Sequence, residues 1–142
     1  MSHQLSEQEI VRRQKLEQLR NLGIEPYPAE EFNVNVTAKD IKDNYERDKT
    51  SYKAISIAGR FMGVRIMGKA SFAELQDATG RIQLYVNRDE ICPGENKSLY
   101  NDVFKKLLDI GDFIGVEGYV FTTQVGEISI HVKFFSWIRL NA

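Results

Sequence analysis

Residues 65–86 read "RIMGKASFAELQDATGRIQLYV", and how this stretch folds decides the rest. From residue 70 to 77 the side chains alternate with a period of two, the repeat of a strand that buries one face. Ser71, Ala73 and Leu75 fall on one side, and Phe72, Glu74 and Gln76 on the other. "DATGR" then supplies hairpin-turn chemistry, with Gly80 at the position that needs a positive φ. On the returning strand Ile82, Leu84 and Val86 alternate with Arg81, Gln83 and Tyr85. Two antiparallel strands result, each with an apolar and a polar face. Phe72 breaks the pattern, because burying such a side chain is worth about 1.5–3 kcal/mol. A phenylalanine kept beside a carboxylate and an amide calls for a reason.

The same period extends outward in both directions. From Tyr52 onward, Ile55, Ile57, Gly59 and Phe61 alternate with Ala54, Ser56, Ala58 and Arg60, which predicts a strand before the hairpin. Two more strands are expected, at 112–123 and 127–137, joined by a tight turn at "QVGE" with Gly126. In the last, Ile128, Ile130 and Val132 oppose Glu127, Ser129 and His131. Between the third and fourth strands, residues 98–108 switch to a helical stripe of Leu99, Val103, Leu107 and Leu108. Ser98 can cap that helix and "DIGD" ends it at Gly111.

Upstream, residues 6–22 read as a helix. Ser6 and Glu9 have capping-box spacing, and Val11, Leu16, Leu19 and Leu22 recur at helical intervals. Gly23, Pro26 and Pro28 stop it. Its other face carries Arg12, Arg13, Lys15 and Arg20, either a contact surface for RNA or a partner domain, or simply a solvated face. Residues 24–51 read as an extended or irregular linker with one helical turn near Thr37–Asn44.

The order is strand, strand, strand, helix, strand, strand. Single glycines at 59, 63, 115 and 118 suit the bends of a small coiled barrel. This predicts a mainly β, five-stranded OB-fold barrel with a helix between strands 3 and 4, preceded by an N-terminal α-helix. A ferredoxin-like fold would need a helix after the first strand, where none is visible. The chain divides into a helix and linker over 1–51, the barrel over 52–137 and a tail over 138–142.

Composition narrows the function. The chain has 142 residues and 27% charged residues, ordinary for a globular domain. No apolar run approaches a membrane span, and the polar start "MSHQLSEQEI" is not a secretory signal. Cys92 cannot form an internal disulfide, and with only His3 and His131 beside it no zinc spacing exists, so a reducing cytoplasm fits. There is no phosphate loop, no serine–histidine arrangement and no catalytic constellation. Net charge is −1, yet residues 52–88 carry a net +4. That basic segment points to a polyanion, or else to lysines and arginines that blunt strand edges.

On an OB barrel the binding face lies on strands 2 and 3, which gives Phe72 its rationale. An exposed aromatic there stacks on an unpaired base. Gln83, on the polar face of the next strand, both donates and accepts, as the edge of uracil requires. Glu127 begins the last strand and can accept the imino N–H of uracil. Arg65 can pair with a carbonyl edge or a phosphate. Each has an ordinary alternative: Phe72 as cover for the barrel mouth, Gln83 and Arg65 as solvated strand residues, Glu127 as the residue after a turn. Phe113, Tyr119 and Phe121 alternate along the fourth strand and are expected to cover the barrel against the N-terminal helix.

"RIMGKASFAELQDATGRIQLYV", "DIGDFIGVEGYVFTTQVGEISIHV" and the helix "EIVRRQKLEQLRNLGIEPYP" together resemble the N-terminal anticodon-binding domain of class II lysyl-tRNA synthetases, over residues 7–133. The resemblance implies a barrel that reads the uridine-rich lysine anticodon of tRNA(Lys). By motif, it implies that Phe72 stacks the central uridine, that Gln83 reads its edge, and that Glu127 and Arg65 contact the anticodon. It also implies a homodimeric parent enzyme with a catalytic domain that uses ATP and Mg. This chain ends at Ala142, so no cofactor is expected in it and no lysine activation by it alone. "FFSWIRLNA" departs from the family's linker, and with Trp137 in it at least part is expected to pack. Two rival readings remain, a sequence-tolerant single-strand binder and a protein-interaction module that uses the basic N-terminal helix.

Overall fold

The structure, a computed structural model, describes residues 14, 17, 32–92, 94, 95, 97, 100 and 110–139. The helix expected over 6–22 lies outside them, apart from Gln14 and Glu17, which are helical and exposed. Most of 98–108 also lies outside.

The five strands are β1 (Ile55–Met67), β2 (Ala70–Asp77), β3 (Gly80–Asn87), β4 (Phe113–Thr122) and β5 (Ile128–Arg139). They close into a barrel in the order β1-β2-β3-β5-β4. All neighbours are antiparallel except β3 and β5, whose parallel pairing closes the barrel. This is the OB-fold. The alternation read from the sequence sets what lies inside: Ile57, Leu75, Ile82, Leu84, Ile130 and Val132 are at most 1% exposed. Burial of such aliphatic side chains is the main force holding the strands together. β5 runs to Arg139, with Phe135 and Ser136 buried, so the unusual C-terminal stretch does pack.

A short helix follows β3. This is α2, Arg88–Ile91, which the Asn87 side chain caps by accepting from the amides of Asp89 and Glu90. Beyond it, Tyr100 is fully buried and its hydroxyl lies 2.7 Å from Ser71 Oγ.

The stretch read as a linker does more than connect. Helix α1, Ala38–Asn44, starts where the sequence places its one helical turn. Thr37 Oγ1 accepts from the Asp40 amide at 3.1 Å, an N-cap. The β2–β3 turn satisfies two further amides of that helix start. Asp77 Oδ2 accepts from Ala38 N at 2.8 Å and Thr79 Oγ1 from Lys39 N at 3.0 Å. Ala38 and Ile41 then enter the barrel core together with Tyr45 and Tyr52. Further back, Phe32 lies so close to Gly115 that a Cβ there would overlap its ring. Five buried residues, Phe32, Ala38, Ile41, Tyr45 and Tyr52, spaced through a polar stretch, fold it onto the barrel.

Candidate nucleic-acid interface

The strand register aligns one residue from each strand into a row across the barrel's outer surface. Arg65 on β1 pairs with Phe72 on β2, and Phe72 with Tyr85 on β3. Tyr85 pairs with His131 on β5, and His131 with Tyr119 on β4. Their side chains touch in the same order. The Arg65 guanidinium carbon is 5.8 Å from the Phe72 centroid, a cation–π contact. Phe72 and Tyr85 are 5.4 Å apart, Tyr85 and His131 5.0 Å, and His131 stacks on Tyr119 at 4.7 Å and 12°. Phe72 is therefore neither solitary nor sunk in the core. It is half-buried, braced on one side by Tyr85 and covered on the other by the exposed guanidinium of Arg65.

Beside the row lies an open groove of about 670 Å³. Arg65, Phe72, Gln83 and Glu127 all line it. They come from β1, β2, β3 and the residue before β5, and only the closed barrel brings them together. Lys42 of α1 and the pair Glu74–Arg81 complete its polar rim. Arg81 Nη1 is 2.6 Å from Glu74 Oε1, and Arg81 Nε donates to Gln76 Oε1 at 2.9 Å. That arginine is held, whereas Arg65 has no carboxylate partner among the described residues. The groove thus offers an aromatic ring, an amide, a carboxylate and an uncommitted guanidinium, a set suited to a base with its phosphate. Among the described residues no group of His, Cys, Asp or Glu is placed to hold a metal ion.

A second cleft, about 350 Å³, shares Arg65, Phe72 and Gln83 with the first. Its other wall is Tyr85, Phe121 and the β4–β5 turn from Thr123 to Val125. The turn is closed by Thr123 N donating to the Glu127 carbonyl and Gly126 N to the Thr123 carbonyl, both at 2.9 Å, with Gly126 at φ 89°.

Phe121 and Tyr119 were expected to cover the barrel. The structure places Phe121 in the cleft beside Phe72, with its ring 5.9 Å from Tyr85. Tyr119 joins the row, and the helix it was expected to meet lies outside the described residues. Parity along β4 puts both on the outer face. What sequence lacks is the β3–β5 register that brings that face round to Phe72. The contact of Tyr85 with His131 was hidden for the same reason, whereas Lys42 reaches the groove through the packing of α1 on the β2–β3 turn.

An OB barrel with a half-buried aromatic row on its outer face, beside an open polar groove, belongs to the class of nucleic-acid-binding OB domains. Residues 55–138 match the tRNA anti-codon family, described as the OB-fold nucleic acid binding domain, and the chain belongs to that family. It is similar to curated lysine–tRNA ligases. Identity to that of Porphyromonas gingivalis is 62% over 136 residues, covering 95% of this chain and 24% of the relative. For the Christiangramia forsetii protein it is 62% over 132 residues, 93% of this chain and 22% of the relative. For that of Thermoanaerobacter sp. it is 46% over 134 residues, 94% and 25%. The chain thus spans about a quarter of the length of these relatives. Among the described residues no helix is long and apolar enough to cross a membrane.

Proposed function

We propose that the groove reads the anticodon loop of a tRNA, with the uridine-rich lysine anticodon as its cognate, as the RNA-reading part of a lysine–tRNA ligase. The observation that carries this reading is the convergence of Arg65, Phe72, Gln83 and Glu127 on one groove. In it, Phe72 stacks the central uridine and Gln83 meets that base's edge. Glu127, exposed at the groove's end, accepts from a neighbouring base, and Arg65 takes a carbonyl edge or a phosphate. The similarity to lysine–tRNA ligases supports lysine as the amino acid. ATP, Mg and the chemistry of lysine activation and transfer belong, in this reading, to the length of the relatives that this chain does not span. The catalytic domain there is the barrel's protein partner, in a homodimeric, cytoplasmic enzyme.

A titration with an RNA hairpin carrying a UUU loop tests this, with an unrelated loop and Phe72→Ala as controls. Preference for UUU that disappears in the variant is the expected result. Equal binding of both loops would instead mark a sequence-tolerant single-strand binder. Affinity should fall as salt rises, because phosphate contacts release counterions.

A further inference from the structure

Ser129 stands on the face of β5 that also carries His131, two residues after Glu127, yet it is fully buried. It pairs with Gln83 across the parallel β3–β5 ladder and with Phe121 across β4–β5. Its Oγ is 3.2 Å from Gln83 Oε1 and 3.3 Å from the Glu127 carbonyl, and its one proton serves both oxygens. A small apolar residue would fill this place without the cost of burying a hydroxyl. The hydroxyl ties the side chain of one groove residue to the backbone of another.

We infer that Ser129 is a positioning residue that fixes which end of the Gln83 amide faces the groove, and so makes the site choose uracil over cytosine. The inference rests on the anticodon reading above. With Oε1 turned to Ser129, Gln83 offers its –NH₂ group, a donor only. Uracil presents a carbonyl acceptor at C4, and cytosine an amino donor there. Donor then faces donor for cytosine, and both groups lose water without a partner. Without the hydroxyl the amide is free to turn over and suit either base. Stacking on Phe72, which is blind to base identity, persists.

Two measurements on the full chain test this, with wild type and Ser129→Ala compared after a thermal melt shows both folded. The first follows the side-chain amide signals of Gln83 by ¹⁵N NMR without RNA; they should shift in the variant, because the carbonyl end of the amide loses its donor and the group is free to turn over. The second compares hairpins with UUU and UCU loops. Wild type should prefer UUU by about tenfold or more, the scale of one unpaired buried group, and the variant by about twofold or less. Its affinity for UUU should fall only severalfold. Unchanged Gln83 signals, or an unchanged preference, would overturn the inference. If wild type binds both loops equally while the Gln83 signals still move, the hydrogen bond stands, and it is the anticodon reading that fails, taking the base choice with it.

Discussion

Arg65 lies directly across the β1–β2 ladder from Phe72, and its guanidinium rests over the phenylalanine ring 5.8 Å from the centroid. The ring proposed to stack a base is therefore already covered by an exposed guanidinium with no carboxylate partner among the described residues. A base that displaces the guanidinium exchanges one π contact for another and leaves Arg65 beside its phosphate. Phe72→Ala should lower affinity for a UUU hairpin by about 1–3 kcal/mol, the range for one stacked base. Arg65→Ala should act differently, weakening all loops alike and reducing the salt slope by about one. Isotherms at several salt concentrations separate the two; a Phe72→Ala chain that binds UUU undiminished would remove the stacking platform.

Asp77 supports a different prediction. Its carboxylate serves the β2–β3 turn through Thr79 and Gly80 and the start of α1 through the Ala38 amide. Burial alone would raise its pKa, but the hydrogen bonds from Thr79, Ala38 and Gly80 together bring it below the usual 3.8. A group whose pKa is depressed on folding stabilises the fold above the unfolded value and loses that contribution as pH falls through the folded one. Asp77→Ala should cost about 2 kcal/mol at neutral pH, the upper end for a lost cap. Urea melts should show the gap between wild type and variant closing below about pH 4. A gap that persists at pH 2 would mean that the loss comes from packing and not from the charge.

How much of this was open to sequence depends on range. Alternation is local, so Ser71, Ala73 and Leu75 could be put inside and Phe72 outside without knowing the partner strands. Gln83 and Glu127 could be placed on polar faces for the same reason. What local pattern cannot supply is register between distant strands. The contact of Ser129 with Gln83, and the swing of Phe121 to Phe72's cleft, depend on the parallel β3–β5 pairing. The role of Thr37–Tyr52 was hidden in another way. Its apolar residues are few, and beyond the local cap Thr37 the groups that hold the start of α1 sit some forty positions away, at Asp77 and Thr79.

Gly118 shows the barrel's tolerance at its tightest. The β4–β5 register shifts between Glu117 and Gly118, a bulge that bends the strand. A Cβ at Gly118 would overlap the carbonyl oxygen of His131, which is backbone and cannot rotate away. Gly118→Ala should destabilise the chain by about 3 kcal/mol, the upper part of the overpacking range. Gly63→Ala, where a Cβ meets nothing within 4 Å, is the control and should cost far less. Equal denaturation midpoints for the two variants would show that β4 can move away from β5 at little cost.

His131 sits within the aromatic row, and its Nδ1 is buried without a hydrogen-bond partner among the described residues. Burial lowers its pKa below 6.5, and Lys133 lowers it further against an opposing pull from Glu90. The rings of Tyr85, Tyr119 and Phe121 pack around it and offer the imidazole no counter-charge. The unfolded chain therefore takes up this proton more readily than the folded one. By linkage, the full contribution is present above about pH 6.5 and is lost as pH falls from there through the lower folded value. His131→Phe keeps a ring in the row and removes the titration. Wild type should lose more stability than this variant between pH 7.5 and 5.5, where carboxylates scarcely titrate. Parallel loss in the two proteins would trace the acid sensitivity to another group. If the row also carries RNA, wild-type binding should respond to pH over the same interval and the variant's should not.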